Sequence, residues 1–236
     1  MTVKHDDIGR ETLNRMSAVD AYNRWIIGEI MPWLGETVLE VGSGIGNMSQ
    51  FFTVAKRLIL TDIRDEYLDT LAERFRDHPA VTCEHYDLEG SAAHLRNRGV
   101  DTVIALNVLE HIRDDGHALG EIASLLVPGG RVILQLPAHP LLYGSLDINL
   151  DHFRRYTISG IRTKFKAAGL EPEKCWRFNM FGAFGWFLSS RVLRREILPT
   201  GQLSLFNRLT PAFVALERVL PVPFGLSIMA IGVKRG

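Results

Sequence analysis

The sequence lacks any excess of one charge. Lys plus Arg and Asp plus Glu number 27 each in 236 residues, so the formal net charge is zero. No global basic field is available to hold a phosphate backbone, which argues against nucleic acid as a partner. Cysteine is scarce: Cys83 and Cys175 stand alone, too few for a disulfide framework, and a reducing cytoplasm is the expected compartment. The most apolar stretch, Phe178 to Ser190, is interrupted by Asn179 and glycines and is shorter than the roughly 20 residues a membrane helix requires. A spanning segment is therefore not expected, while contact with a membrane surface stays open. The first residues, Met1-Thr2-Val3-Lys4-His5-Asp6-Asp7, have no apolar core of the secretory kind. Internal repeats are also missing, and the length suits one domain with a substantial core.

What is present is organised around Val38-Leu39-Glu40-Val41-Gly42-Ser43-Gly44-Ile45-Gly46-Asn47. An apolar run ending in an acid and breaking into three close glycines predicts a buried parallel strand, a tight turn and a helix start facing a ligand. Before it, Leu13, Met16, Tyr22, Trp25, Ile26, Ile30 and Trp33 recur at helical spacing, predicting an amphipathic helix up to about Pro32. After it, Met48, Phe51 and Phe52 predict a helix packed on the sheet, and Arg57 to Thr61 a second strand closed by Asp62. A carboxylate there, about 20 residues past the glycines, suits ribose hydroxyls. Leu68, Leu71 and Phe75 mark the next helix, and Val81 to Tyr86 a third strand ending in Asp87-Leu88, where an acid suits an adenine amino group with Leu88 against the ring. Val100 to Leu106 reads as the fourth strand, Ala118, Ile122 and Leu125 as a helix, Pro128-Gly129-Gly130 as a turn, and Arg131 to Leu136 as the fifth strand. Regular alternation predicts an α/β, doubly wound sheet with its ligand at the carboxyl ends of the strands, where each of these polar residues falls.

The glycines stand as Gly42-x-Gly44-x-Gly46, and Asn47 holds the place where a dinucleotide fingerprint needs its last glycine. The nicotinamide reading is disfavoured on that spacing, and no Gly-Lys-Ser or Gly-Lys-Thr follows to make an ATP loop. The segment from Val38 to Leu136 resembles the class I S-adenosylmethionine-dependent methyltransferases. Glu40-Val-Gly42-Ser-Gly44-Ile-Gly46 is similar to their first motif, Asp62 with Ile63 to the ribose-side position, and Asp87 with Leu88 to the adenine-side one. Asn107-Val-Leu-Glu-His111 and Leu-Val-Pro128-Gly-Gly130 are similar to their later motifs. The resemblance implies a Rossmann-like seven-stranded sheet with S-adenosyl-L-methionine as cofactor. It implies that the glycine turn, Ser43 included, meets the methionine and ribose portions, with Asn107 and Val108 near the methionine end. Asn14 to Trp25 is similar to the N-terminal cap of small-molecule members, with Tyr22 and Trp25 near the cofactor.

Beyond the fifth strand, the stretch from Pro137 to Thr157 is too long for an idle connection and has little periodicity. Leu-Tyr143-Gly-Ser-Leu-Asp147 with His152-Phe-Arg154-Arg155-Tyr156-Thr157 resembles a bacterial subgroup of these enzymes, in which the segment is expected to close over cofactor and acceptor. His152, Tyr143 and Tyr156 are the acceptor-side candidates and His111 the best-placed histidine on the cofactor side, each with a bland reading as a structural hydrogen-bonding or packing group. Arg154 and Arg155 are either solvated or an anion clamp. Thr157 and Gly169 bracket a helix leading to a strand near Lys174 to Phe178, and Leu226 to Val233 reads as the last strand. Between them a helical pair is expected, Phe181 to Leu198 and a second helix opened by Thr210-Pro211. Its apolar surface needs cover from the domain's own core, an acceptor, a second copy or a membrane.

The expectation is one cytoplasmic domain, monomeric or homodimeric. It divides into a helical cap (1–34), a cofactor core (35–136), an acceptor loop (137–157) and a helical insertion (179–224). The activity expected is methylation of a small molecule in a biosynthetic setting, on oxygen first. N- or C-methylation of a natural-product or lipid-linked acceptor, and a non-catalytic cofactor-binding partner subunit, are the alternatives. No metal is expected: Asp114-Asp115 has no recognisable third ligand and suits a helix cap.

Overall fold

The computed structural model describes residues 3–236, with side chains from Ile8 onward; the reading of the first seven residues as carrying no signal core lies outside the described side chains. Seven strands run β1 (Thr37–Val41), β2 (Arg57–Asp62), β3 (Val81–His85), β4 (Val100–Leu106), β5 (Leu126–Pro137), β6 (Leu170–Phe178) and β7 (Ser227–Lys234). They form one sheet in the order β3-β2-β1-β4-β5-β7-β6. The first five are parallel, and β7 lies antiparallel between β5 and β6.

Both faces of the sheet are covered, which is why its strands read as unbroken apolar runs. Along β1, β4 and β5 successive side chains alternate between two cores: Leu39, Val103 and Val132 face one, Val38, Ile104 and Ile133 the other. The first core is closed by α4 (Asp115–Leu125) and α6 (Ile158–Ala167), the second by α2 (Asp20–Ile30) and α3 (Asp65–Arg74). Strand order reverses between β1 and β4, and at that reversal the carboxyl ends open a crevice for ligand.

Several local expectations need correction. The N-terminal periodicity spans two helices, α1 (Val3–Ser17) and α2, with the break at Ala18 and Val19. No α-helix lies between the glycine turn and β2. Only one 3₁₀ turn, Ser49–Phe51, fits in the short connection before β2, and it still buries Phe52 completely. Pro128-Gly129-Gly130 is a bulge within β5, whose pairing jumps from Leu126 opposite Val100 to Arg131 opposite Thr102. The loop after β5 contains a short helix, α5 (Ser145–Asn149). In the insertion, α7 (Met180–Phe187) runs into a π turn, Leu188–Val192, and α8 (Thr200–Val219) follows. Thr210-Pro211 lies inside α8 rather than opening it. Proline removes one helical N–H there, and the Thr210 hydroxyl donates to Phe206 O at 2.9 Å in the same turn.

The helical pair is tied to the N-terminal helices. Asn207 Oδ1 in α8 accepts from Ala21 and Tyr22 N–H at the start of α2 (2.9 and 3.3 Å), and Arg15 in α1 donates to Leu198 O at 2.6 Å. Glu217 in α8 accepts from Asn179 and Met180 N–H at the start of α7 (2.9 and 2.6 Å). A roof thus stands over the carboxyl ends of the strands.

Candidate functional site

A cavity of about 1310 Å³ lies under that roof and extends from the glycine turn to the loop after β5. The turn's geometry follows from its residue types. Gly42 has φ +68° and Gly44 φ +54°, values at which a side chain is strained. A Cβ on Gly42 would sit 2.6 Å from Val108 Cγ2, so only glycine lets the β1 and β4 ends approach this closely. Asp62, at the tip of β2, accepts from Gly44 N–H at 2.8 Å through one oxygen and from Arg64 N–H at 3.0 Å through the other. Burial pushes its carboxyl up and these backbone donors oppose that. Each oxygen retains a lone pair for a ligand hydroxyl.

Glu40 is buried beneath the turn, accepts from Ser49 Oγ, and is pushed up to about 7 by burial. Asp87 holds Glu89 N–H at 2.8 Å through one oxygen and borders the cavity. Asn107 has φ +53° and its N–H is held by Gln135 O at 2.9 Å. Asparagine tolerates this conformation, and the resulting sharp turn leads into the 3₁₀ turn Leu109–His111. Tyr22 comes from α2 to the same cavity.

The cavity's borders include Tyr22, Glu40, Gly42, Ser43, Gly44, Asp62, Ile63, Asp87, Asn107 and Val108 around the glycine turn and the neighbouring strand ends, and His111, Tyr143 and His152 from the other side. Four expected residues do not border it. Trp25 packs edge to face on Phe178 at 5.6 Å in the core. Leu88 points into the opposite core, beside Tyr86. Gly46 faces Leu71 and Phe75 of the core around α3. Tyr156 is 4 % exposed and donates to Asp115 Oδ2 at 3.0 Å, so its hydroxyl is a structural donor; burial and the adjacent carboxylate push it far up. Arg154 is likewise committed, to Asp115 at 3.1 Å and to the carbonyls of Ile112 and Arg113, so Asp114-Asp115 serves as helix cap and ion-pair hub, with Asp114 accepting from His117 N–H.

The loop after β5 is built around Asp147, a residue that sequence reasoning did not single out. It has no solvent exposure. Its Oδ1 accepts from Arg155 Nε at 2.7 Å and from His152 Nδ1 at 3.0 Å, and its Oδ2 from Gly144 N–H at 3.0 Å. Burial would push this carboxyl up, but His152 and Arg155 outweigh that and hold it low. Arg155 is also buried, stacks its guanidinium 4.7 Å over Trp186, and donates to Ala138 O at 3.0 Å. Tyr143 donates its hydroxyl to His152 O at 2.7 Å. Paired carboxylate, arginine and aromatic groups therefore fix the His152 ring. His111 lies edge to face with it, centroids 4.7 Å apart, and burial together with the neighbouring His152 lowers His111 to about 3. Glu110, overlooked as part of a motif, is wholly buried and is pushed up to about 7 by that burial.

A family model described as a methyltransferase domain matches residues 39–132. A probable S-adenosylmethionine-dependent methyltransferase of Mycolicibacterium smegmatis is 28% identical over 142 residues, 59% of this chain and 53% of that protein. An uncharacterised 37.1 kDa protein from a Streptomyces fradiae transposon is 26% identical over 160 residues, 64% of this chain and 46% of that one. The chain thus spans about half the length of these curated relatives. Among solved structures, an S-adenosylmethionine-dependent methyltransferase from Mesorhizobium loti superposes with TM-score 0.64 at 13% identity, covering 92% of this chain and 100% of that one. That likeness establishes the fold.

Proposed function

We propose that this chain, which belongs to the class I S-adenosylmethionine-dependent methyltransferases, transfers the cofactor's methyl group to an oxygen of a small-molecule acceptor. The cradle fits the cofactor on structural grounds. Two left-handed glycines leave no room for a Cβ at Gly42, a carboxylate with free lone pairs stands beside Gly44, and Gln135 Oε1 is buried at the cavity wall with no donor of its own. In this reading Asp62 takes the ribose hydroxyls, Asp87 the adenine side, and Ser43, Gly44, Asn107 and Val108 border the methionine portion. When bound, the cofactor supplies an electrophilic methyl on a sulfonium that becomes neutral on transfer. The chain's part is to align the reacting atoms and exclude water. Tyr22, Leu146 and Phe181 provide apolar wall for that purpose.

The observation that carries oxygen over nitrogen or carbon is the placement of His111 and His152 together on the cavity wall, with Glu110 buried within 4.8 Å of both. A hydroxyl must lose its proton to become a good nucleophile, and His152, whose Nδ1 is held by Asp147, has its other ring nitrogen available for that need, whereas burial holds His111 at about 3. Tyr143 is less suited because its proton is already given to a backbone carbonyl. The test is transfer of labelled methyl to a panel of hydroxyl, amine and carbon-acid acceptors. O-methyl products are expected, and His152→Ala is expected to lower turnover by about 10²–10⁴-fold without changing affinity for S-adenosylhomocysteine. Products methylated only on nitrogen or carbon would overturn the oxygen assignment, and absence of transfer to any acceptor would favour a partner-subunit role.

An acceptor with a lipid or other long apolar portion is favoured by one further observation. Phe184, Phe187, Leu188 and Val192 are exposed on the roof next to Arg191 and Arg194. Failure of the protein to sediment with anionic vesicles at low salt would exclude the lipid-linked version. No helix among the described residues is long and apolar enough to cross a membrane.

A further inference from the structure

Glu110 is fully buried and neither carboxylate oxygen has a hydrogen-bond partner. A buried acceptor left unpaired costs about 1–3 kcal/mol, more when charged. One ligand-capable atom from each of Glu110, His111 and His152 lies within 4.8 Å of the other two. His152 Nδ1 is already engaged with Asp147 Oδ1 at 3.0 Å, and the His111 ring lies edge to face with His152, centroids 4.7 Å apart. His152 Nδ1 donates to that carboxylate, which leaves Nε2 as a bare lone pair, and a neutral imidazole at His111 carries one as well. Two lone pairs and a carboxylate thus share one pocket, and no protein donor serves Glu110.

We infer that Glu110, His111 and His152 form a binding site for a divalent first-row transition-metal cation whose open coordination positions face the acceptor. Two imidazoles and one carboxylate form a set that suits zinc, iron, cobalt or manganese, whereas magnesium and calcium favour oxygen ligands. The surrounding contacts are those of a metal site. A metal-ligating histidine almost always gives its second nitrogen to a carboxylate or carbonyl that orients it, and Asp147 occupies that position for His152. Asp147 is itself locked by Arg155 and Gly144. Three protein ligands leave positions free, and His111 and His152 border the cavity.

This inference deepens the oxygen-acceptor reading and rests on it for the substrate class: acceptors with two adjacent oxygens, such as catechols, vicinal diols or α-hydroxy acids, which chelate. With the metal bound, the His152 lone pair is a ligand and no longer a base; coordination would instead lower the pKa of a bound hydroxyl, whose proton passes to solvent water. The oxygen's electron pair then forms the O–C bond as the donor's C–S bond breaks and its pair returns to sulfur.

The test is titration of chelator-stripped protein with Co²⁺ followed by visible absorption, with S-adenosylhomocysteine affinity measured calorimetrically on the same samples. A single cobalt with ligand-field bands is expected, lost in His111→Ala, His152→Ala and Glu110→Gln. Asp147→Asn is expected to weaken binding about 10–100-fold, with S-adenosylhomocysteine affinity unchanged. Because Glu110 is wholly buried, His152→Ala, on the cavity wall, is the decisive variant. Absence of a cobalt spectrum in protein that binds S-adenosylhomocysteine overturns the site, as does a spectrum that His152→Ala leaves intact. Cobalt uptake by folded protein that ignores S-adenosylhomocysteine overturns the methyltransferase reading and leaves the metal site standing.

Discussion

At the scale of single residues, the same carboxyl group does different work depending on what its burial leaves it. Asp62 keeps backbone donors and a lone pair for a ligand. Glu40, one strand away, has the Ser49 hydroxyl and little else, and burial moves it from an ordinary value of 4.5 to about 7. The native state therefore binds that proton more tightly than the unfolded chain does. Its stabilising contribution is complete below the unfolded pKa and is lost as pH rises through about 7. A shift of this size corresponds to on the order of 3 kcal/mol. Urea unfolding at pH 5 and pH 8 is expected to show wild-type stability falling between the two, with Glu40→Gln falling by that much less. Parallel losses in the two proteins would mean that Glu40 ionises as readily folded as unfolded. Which residues of the site were legible in sequence follows a similar logic. The glycines, Asp62 and Asn107 belong to one contiguous turn or to strand ends, where backbone conformation demands particular residue types. Asp147 carried no such signal: its neighbours lie five and eight residues along an aperiodic loop, and only the fold shows that Arg155 and His152 both turn back to it.

At the scale of elements, the strands were legible because burial on both faces makes them apolar throughout, and β4 falls where its run of Val100 to Leu106 says. The helix expected after the glycine turn fails for want of length, since Arg57 must already enter β2. The misplaced start of α8 has another cause. Proline is common in the first helical turn, but α8 is held by contacts to α2 and α7 on either side of Pro211, through Asn207 and Glu217, and these outweigh the lost backbone bond. The roof should accordingly depend on such links. Removing the carboxylate with Glu217→Ala leaves two N–H groups at the α7 start without their acceptor, at a cost of about 0.5–2 kcal/mol. Hydrogen exchange is expected to quicken in residues 180–192 while β1, β4 and β5 keep their protection. Equal acceleration in the central strands would show that the roof and the sheet open as one unit.

At the scale of the whole molecule, the cavity exists only when distant parts of the chain are assembled. Tyr22 comes from α2, Gly44 from the turn after β1, Asn107 from the end of β4, His152 from the loop after β5 and Phe181 from α7. The unfolded chain holds none of these together, so a ligand of the cradle binds the native state alone and stabilises it by mass action. Ligand at about 100 times its Kd adds about 2.7 kcal/mol, and for a chain of this size each kcal/mol raises Tm by roughly 2–4 °C. S-adenosylhomocysteine is therefore expected to raise Tm by about 5–11 °C at that excess, with a shift that grows logarithmically with its concentration. A nicotinamide dinucleotide is expected to give none, because Asn47 stands where its turn needs glycine and Gly46 is spent against α3. Equal shifts from the two ligands would mean that the cradle reads only a shared adenosine, and the methionine-side roles given to Ser43, Asn107 and Val108 would then fall.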